Sequence, residues 1–173
     1  MTRLIPFILT IFLLSGCESY QYSQQRGSGL EFYLIRDFQR EGSGAKIINS
    51  IVTLSDSVII SYDEIVSYDS VNFTFTVTGI CAGRLNNFES NNFHGTPFAV
   101  TIDKEIIYTG YFWYGYSSAS VGWVTIDPLN YSGRNQLRVS LGYPGLIIGD
   151  YIPDNRNDCR ILNLLMRDGK LKE

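Results

Sequence analysis

Hydrophobic and polar positions alternate along much of this chain, and the alternation predicts a sheet. Leu30, Phe32 and Leu34 interleave with Glu31, Tyr33 and Arg36, the period-two signature of a half-buried strand. Asn72 to Thr78 is the cleanest case. Phe73, Phe75 and Val77 take one side and four polar residues the other, as in an antiparallel sheet with one wet face. Residues 98–102 and 105–109 flank Asp103-Lys104 and read as a β-hairpin with a two-residue turn. Residues 121–126 and 136–141 predict two further strands, and Gly142 to Gly145 closes the sheet. Residues 45–60 are rich in β-branched side chains and read as one or two short strands.

The period changes in two places. Thr78 can cap a short helix to about Phe88, with Ile80, Cys81, Leu85 and Phe88 inward, though Gly79 and Gly83 weaken it. Near the C-terminus Ile161, Leu164 and Leu165 share one helical face; Asn157 or Asp158 can cap its start and Gly169 its end, which predicts a helix over 157–168. Ser61-Tyr62-Asp63-Glu64 has capping-box spacing and predicts one helical turn before Ile65. Ser67-Tyr68-Asp69 echoes Ser61-Tyr62-Asp63, but a six-residue echo is too short for a solenoid repeat. The expected fold is therefore α+β: a mainly antiparallel sheet with a short central helix and a C-terminal helix packed on one face.

The N-terminus obeys a different pattern. Arg3 and the amino group precede an apolar run of eleven residues, Leu4 to Leu14, too short for a permanent membrane helix but the length of a signal-peptide h-region. Leu14-Ser15-Gly16-Cys17 follows directly and resembles the lipobox of bacterial lipoproteins. That resemblance implies a signal peptide over 1–16, cleavage before Cys17 and lipid, palmitate included, on Cys17. It implies a cell-envelope protein anchored to a membrane through Cys17, and Glu18 beside the anchor leans towards an outer membrane facing the periplasm where the host has one. Glu18 to Gly29 is polar, Gln/Ser/Gly-rich and aperiodic, a flexible tether with a span of roughly 20 Å. The chain thus divides into 1–16 signal, 17–29 lipidated Cys and tether, and 30–173 a single domain.

Composition narrows the chemistry. The chain has 173 residues, 45% hydrophobic, and a formal charge of −3, which leaves no electrostatic footprint for nucleic acid. His94 is the single histidine, so any Ser–His or Cys–His catalysis would have to use it; a solvent-facing loop histidine is the preferred reading. There is no C-x-x-C, H-E-x-x-H, G-x-S-x-G or glycine-rich phosphate loop, so no metal, cofactor or catalytic residue is assigned. Asp63, Glu64 and Asp69 lack the glycine and closing Glu of an EF-hand loop and read as a solvated turn. Cys81 and Cys159 could form a disulfide in a secreted compartment or stay as two buried thiols.

The tyrosine excess, 12 in all, is densest at 108–116. Tyr111, Trp113, Tyr114, Tyr116 and nearby Trp123 are the candidate binding residues, because an exposed aromatic row stacks on sugar rings or anchors a protein. Cross-strand packing inside the sheet is the competing and preferred reading.

Asp63 to Asp69, Gly95 to Val100 leading to Ile107 through Trp113, and Leu141 to Pro144 together resemble small bacterial envelope proteins that carry no assigned activity. Phe73 to about Tyr108 is similar to a β-α-β-hairpin unit in the periplasmic domain of the SecD export protein, which implies an α+β sheet and not transport. The expectation is a non-catalytic, lipid-anchored protein that binds a protein or glycan partner. An envelope hydrolase with dispersed carboxylates, or a structural component of an envelope complex, is the alternative.

Overall fold

A computed structural model describes residues 29–87, 95–129, 133–147, 149 and 151–172. The strands are β1 (Leu30–Asp37), β2 (Thr53–Ile60), β3 (Ile65–Asp69), β4 (Thr74–Val77), β5 (Pro97–Ile102), β6 (Glu105–Phe112), β7 (Val121–Ile126), β8 (Gln136–Tyr143) and β9 (Leu171–Lys172). Two helices, α1 (Gly79–Asn86) and α2 (Cys159–Arg167), complete an α+β architecture. The nine strands form one sheet in the order β2-β1-β5-β6-β7-β8-β4-β3-β9. Pairing is antiparallel except for β6 with β7 and β3 with β9.

The hairpin lies where the alternation predicts it. Ile102 pairs with Glu105, and Asp103 and Lys104 both adopt left-handed backbone (φ 54° and 66°), which matches the right-handed twist of the flanking strands. Both helix caps are also where the side chains allow. The Thr78 hydroxyl accepts from the Cys81 N–H, and the Asp158 carboxylate accepts from the Arg160 N–H. Gly169 takes the left-handed position after α2 (φ 66°), where a side chain would strain the backbone.

Two local expectations need correction. Ile80, expected inward, is 82% exposed; α1 buries Cys81, Ala82 and Leu85 instead and stops at Asn86, while Phe88 lies outside the described residues. Phe73 leaves the strand alternation because its backbone turns to φ 53°, and its ring lies 3.5 Å beneath the Arg156 guanidinium. The stretch after the 61–64 turn is a strand, β3, in which Tyr68 pairs with Phe75 on one side and Leu171 on the other.

The sheet closes over its own core. The Phe32 and Phe75 rings meet edge-on at 5.3 Å although β1 and β4 stand five places apart in the sheet order. Phe98 packs on Phe112 at 4.9 Å and Tyr68 stacks on Phe75 at 4.3 Å. The opposite face of β6 is covered by the chain between β1 and β2: the Phe38 ring contacts Tyr111, and the Tyr111 hydroxyl donates to the Ala45 carbonyl at 2.9 Å. With both faces covered, β6 is buried from Ile107 to Phe112.

Candidate functional site

The coverage of β6 decides the fate of the aromatic row. Tyr111, Tyr114 and Trp123 are buried, Trp113 is half-buried with its indole N–H on the Ala119 carbonyl, and Tyr116 alone is well exposed, at 60%. The five do not form an exposed platform. Alternation sends β6 side chains to both faces, and here neither face is wet.

One of the five, Trp123, instead contributes to a concave site. The β6–β7 ladder is confined to Tyr111–Thr125 and Phe112–Ile126 and does not reach Tyr108-Thr109 or Trp123-Val124. Gly110 permits a close approach to β7 just beyond it: a Cβ there would lie 2.7 Å from the Val124 carbonyl oxygen and 2.6 Å from the Phe98 ring. A cleft of about 400 Å³ opens beside this end of the ladder, within the range of small-ligand pockets.

Three chain segments line it. β6 and β7 supply Tyr108, Thr109, Trp123 and Val124; the chain after β1 supplies Glu41 and Lys46 through Asn49; the stretch before α2 supplies Pro153 and Asn155. An Arg40–Ile47 bridge and a Glu41 N–H to Lys46 carbonyl bond (2.9 Å) fold residues 41–46 into a tight loop around Gly42, whose φ of 58° suits glycine. That loop sets the Glu41 and Lys46 side chains together as an ion pair at the mouth. Asn155 is carried by a strap anchored through Arg156, which holds Asp154 at 2.7 Å and donates to the Val139 carbonyl at 3.1 Å.

Polar groups within the cleft are ordered in series. The Trp123 indole N–H donates to the Thr109 hydroxyl (3.3 Å), and that hydroxyl donates to Asn49 Oδ1 (3.0 Å). The Asn49 oxygen is thereby engaged, and its NH2 is the end left to donate. The exposed Asn155 side-chain amide makes no hydrogen bond among the described residues. Tyr108 is 3% exposed, and its hydroxyl has no hydrogen-bond partner among the described residues. Burial holds that phenol well above its ordinary pKa, so it stays protonated as a donor. Leaving such a hydroxyl unsatisfied costs about 1–3 kcal/mol. Among the described residues the cleft is lined by one carboxylate, Glu41, which is bound to Lys46.

The other sequence candidates lie apart from the cleft. Cys81 and Cys159 are free; Cys81 is buried under α1 with its thiol pushed up to about 11 chiefly by burial, whereas Cys159 is exposed at the start of α2, so the bridge is not formed. Glu64 is bound by Arg84 at 2.8 and 2.9 Å, and Asp69 accepts from the Val71 and Asn72 N–H groups. Among the described residues no three ligand side chains cluster to hold a metal. His94 and Cys17 lie outside the described residues. Among the described residues no helix is long and apolar enough to cross a membrane.

Asn49 and Asn155 escaped sequence reasoning because no local pattern joins positions so far apart. The nearest signal is the Glu41–Lys46 pair flanking Gly42-Ser43-Gly44, which reads as a turn. No family model matches the chain, and no curated protein or solved structure matches it.

Proposed function

We propose that this chain is an exported, lipid-anchored envelope protein that binds a glycan partner non-catalytically through the cleft beside β6 and β7. The carrying observation is that cleft, lined by Trp123, by the asparagine amides and by an ion pair that give donors and acceptors at once. A glycan is preferred over a protein partner because a hollow of about 400 Å³ fits one or two small units, whereas protein interfaces need broad surfaces. The domain behind it is an α+β unit with α2 laid on one face of the sheet, supported by the burial of Ile161, Leu164 and Leu165.

The address rests on Leu14 to Cys17 and on the apolar run before it. Cys17→Ala should release the protein from membranes or stall its maturation, read by fractionation and intact mass. Continued maturation and membrane retention of that variant would remove the anchor. Binding is read by tryptophan fluorescence titrated with peptidoglycan fragments and oligosaccharides. No response to any of them removes the glycan reading.

A further inference from the structure

We propose that the unit held in the cleft is a neutral N-acetylated amino sugar; this rests on the glycan reading above and sharpens it. The charge of the lining comes first. Glu41 and Lys46 neutralise each other, and among the described residues no other ionised side chain lines the cleft. A phosphate or a sugar acid would surrender its hydration and find no uncompensated cation in return, so the occupant is uncharged.

The polar groups come second. Asn155 offers a donor and an acceptor on one planar amide, and Asn49 offers the NH2 that Thr109 leaves over. That pairing matches a ligand amide, whose own N–H and C=O need one partner of each kind.

The apolar groups come third. Ile47, Val124 and Pro153 line the cleft together with Trp123. A plain hexose would set hydroxyls against them. An acetamido group sets a methyl there and keeps its amide for the asparagines, while the sugar ring has an apolar face for the indole.

The test uses the full chain carrying Trp113→Phe, so that Trp123 is the reporting indole, with calorimetry as a second readout. The probes are N-acetylglucosamine and its β-1,4 dimer, glucose, N-acetylalanine amide and inorganic phosphate. The expected result is saturable binding of the acetamido sugars, with glucose weaker by about tenfold or more and phosphate silent. Asn155→Ala should weaken the acetamido sugars about tenfold with an unchanged circular dichroism spectrum, since that side chain holds nothing else. Glucose binding as tightly as N-acetylglucosamine overturns the acetamido assignment and leaves the glycan reading standing. Binding of N-acetylalanine amide without any sugar overturns both in favour of a peptide ligand, and silence of every probe in both readouts overturns both.

Discussion

Tyr108 and Tyr111 stand on the same strand and are about equally buried, yet their hydroxyls have opposite standing. Tyr111 donates to the Ala45 carbonyl at 2.9 Å and so ties the chain after β1 to the sheet. Tyr108 has no such bond among the described residues. Deleting the Tyr111 hydroxyl strands a carbonyl; deleting the Tyr108 hydroxyl removes a group whose burial is uncompensated. Tyr111→Phe should therefore cost about 1 kcal/mol, and Tyr108→Phe should be neutral or stabilising by up to about 1 kcal/mol. Urea unfolding of the two variants beside the parent checks this. The reverse order would mean that the Tyr108 hydroxyl is satisfied within the fold.

At the scale of elements, the hairpin joining β5 and β6 shows where a local rule was followed and where it was not. Both turn residues need left-handed backbone, which suits glycine and asparagine, but the second is Lys104 at φ 66°. An L-residue there costs about 1–2 kcal/mol, against about 1 kcal/mol of extra chain entropy lost by glycine. Lys104→Gly should thus leave the fold intact and raise stability by up to about 1 kcal/mol, read as a higher melting temperature. A loss of stability would mean that the Lys104 side chain does more than fill the turn. The same hairpin was legible in the sequence because its signal is local, as were β7, β8, the α2 cap and the 61–64 turn. What was illegible is long-range. β3 exists because Phe75 and Leu171 flank Tyr68, and neither neighbour can be seen from residues 65–69. The β6–β7 ladder depends on two pairings across a connection, and the cleft joins side chains from 41–49, 108–124 and 153–155. Alternation correctly placed Tyr108, Tyr111 and Phe112 on a strand, but β6 ends there, and Trp113, Tyr114 and Tyr116 lie beyond it. It could not say that the reverse face of that strand is also covered.

At the scale of the whole molecule, the carboxylates divide into two sets, and the division shapes stability against pH. Asp168 is held down to about 2, first by its bond from Arg167 and then by Tyr62; Glu64 is lowered by Arg84, Asp154 by Arg156 and Asp158 by Arg160. A carboxyl whose folded pKa lies below its unfolded value of about 4 stabilises the fold above that value. Its contribution then fades as pH falls through the folded pKa. Asp127 and Asp103 behave oppositely, because burial outweighs their hydrogen bonds and charges and raises both. Each opposes folding while it is ionised, and protonation relieves that cost as pH drops towards about 4. Stability should therefore rise modestly as acidification brings the pH down towards about 4, then fall steeply below it. The falling limb loosens several joints together, since Glu64 ties the 61–64 turn to α1, Asp154 holds the strap carrying Asn155, Asp158 caps α2, and Asp168 binds Tyr62. Because the strap is one wall of the cleft, ligand affinity should decline with that limb. Urea midpoints from pH 7 to pH 2 trace the curve, and Asp127→Asn should flatten its rising part while leaving the fall below pH 4 in place. A curve that fell steadily from neutrality would show that Asp127, accepting from Gly115 and Leu129, is satisfied as a carboxylate despite its burial.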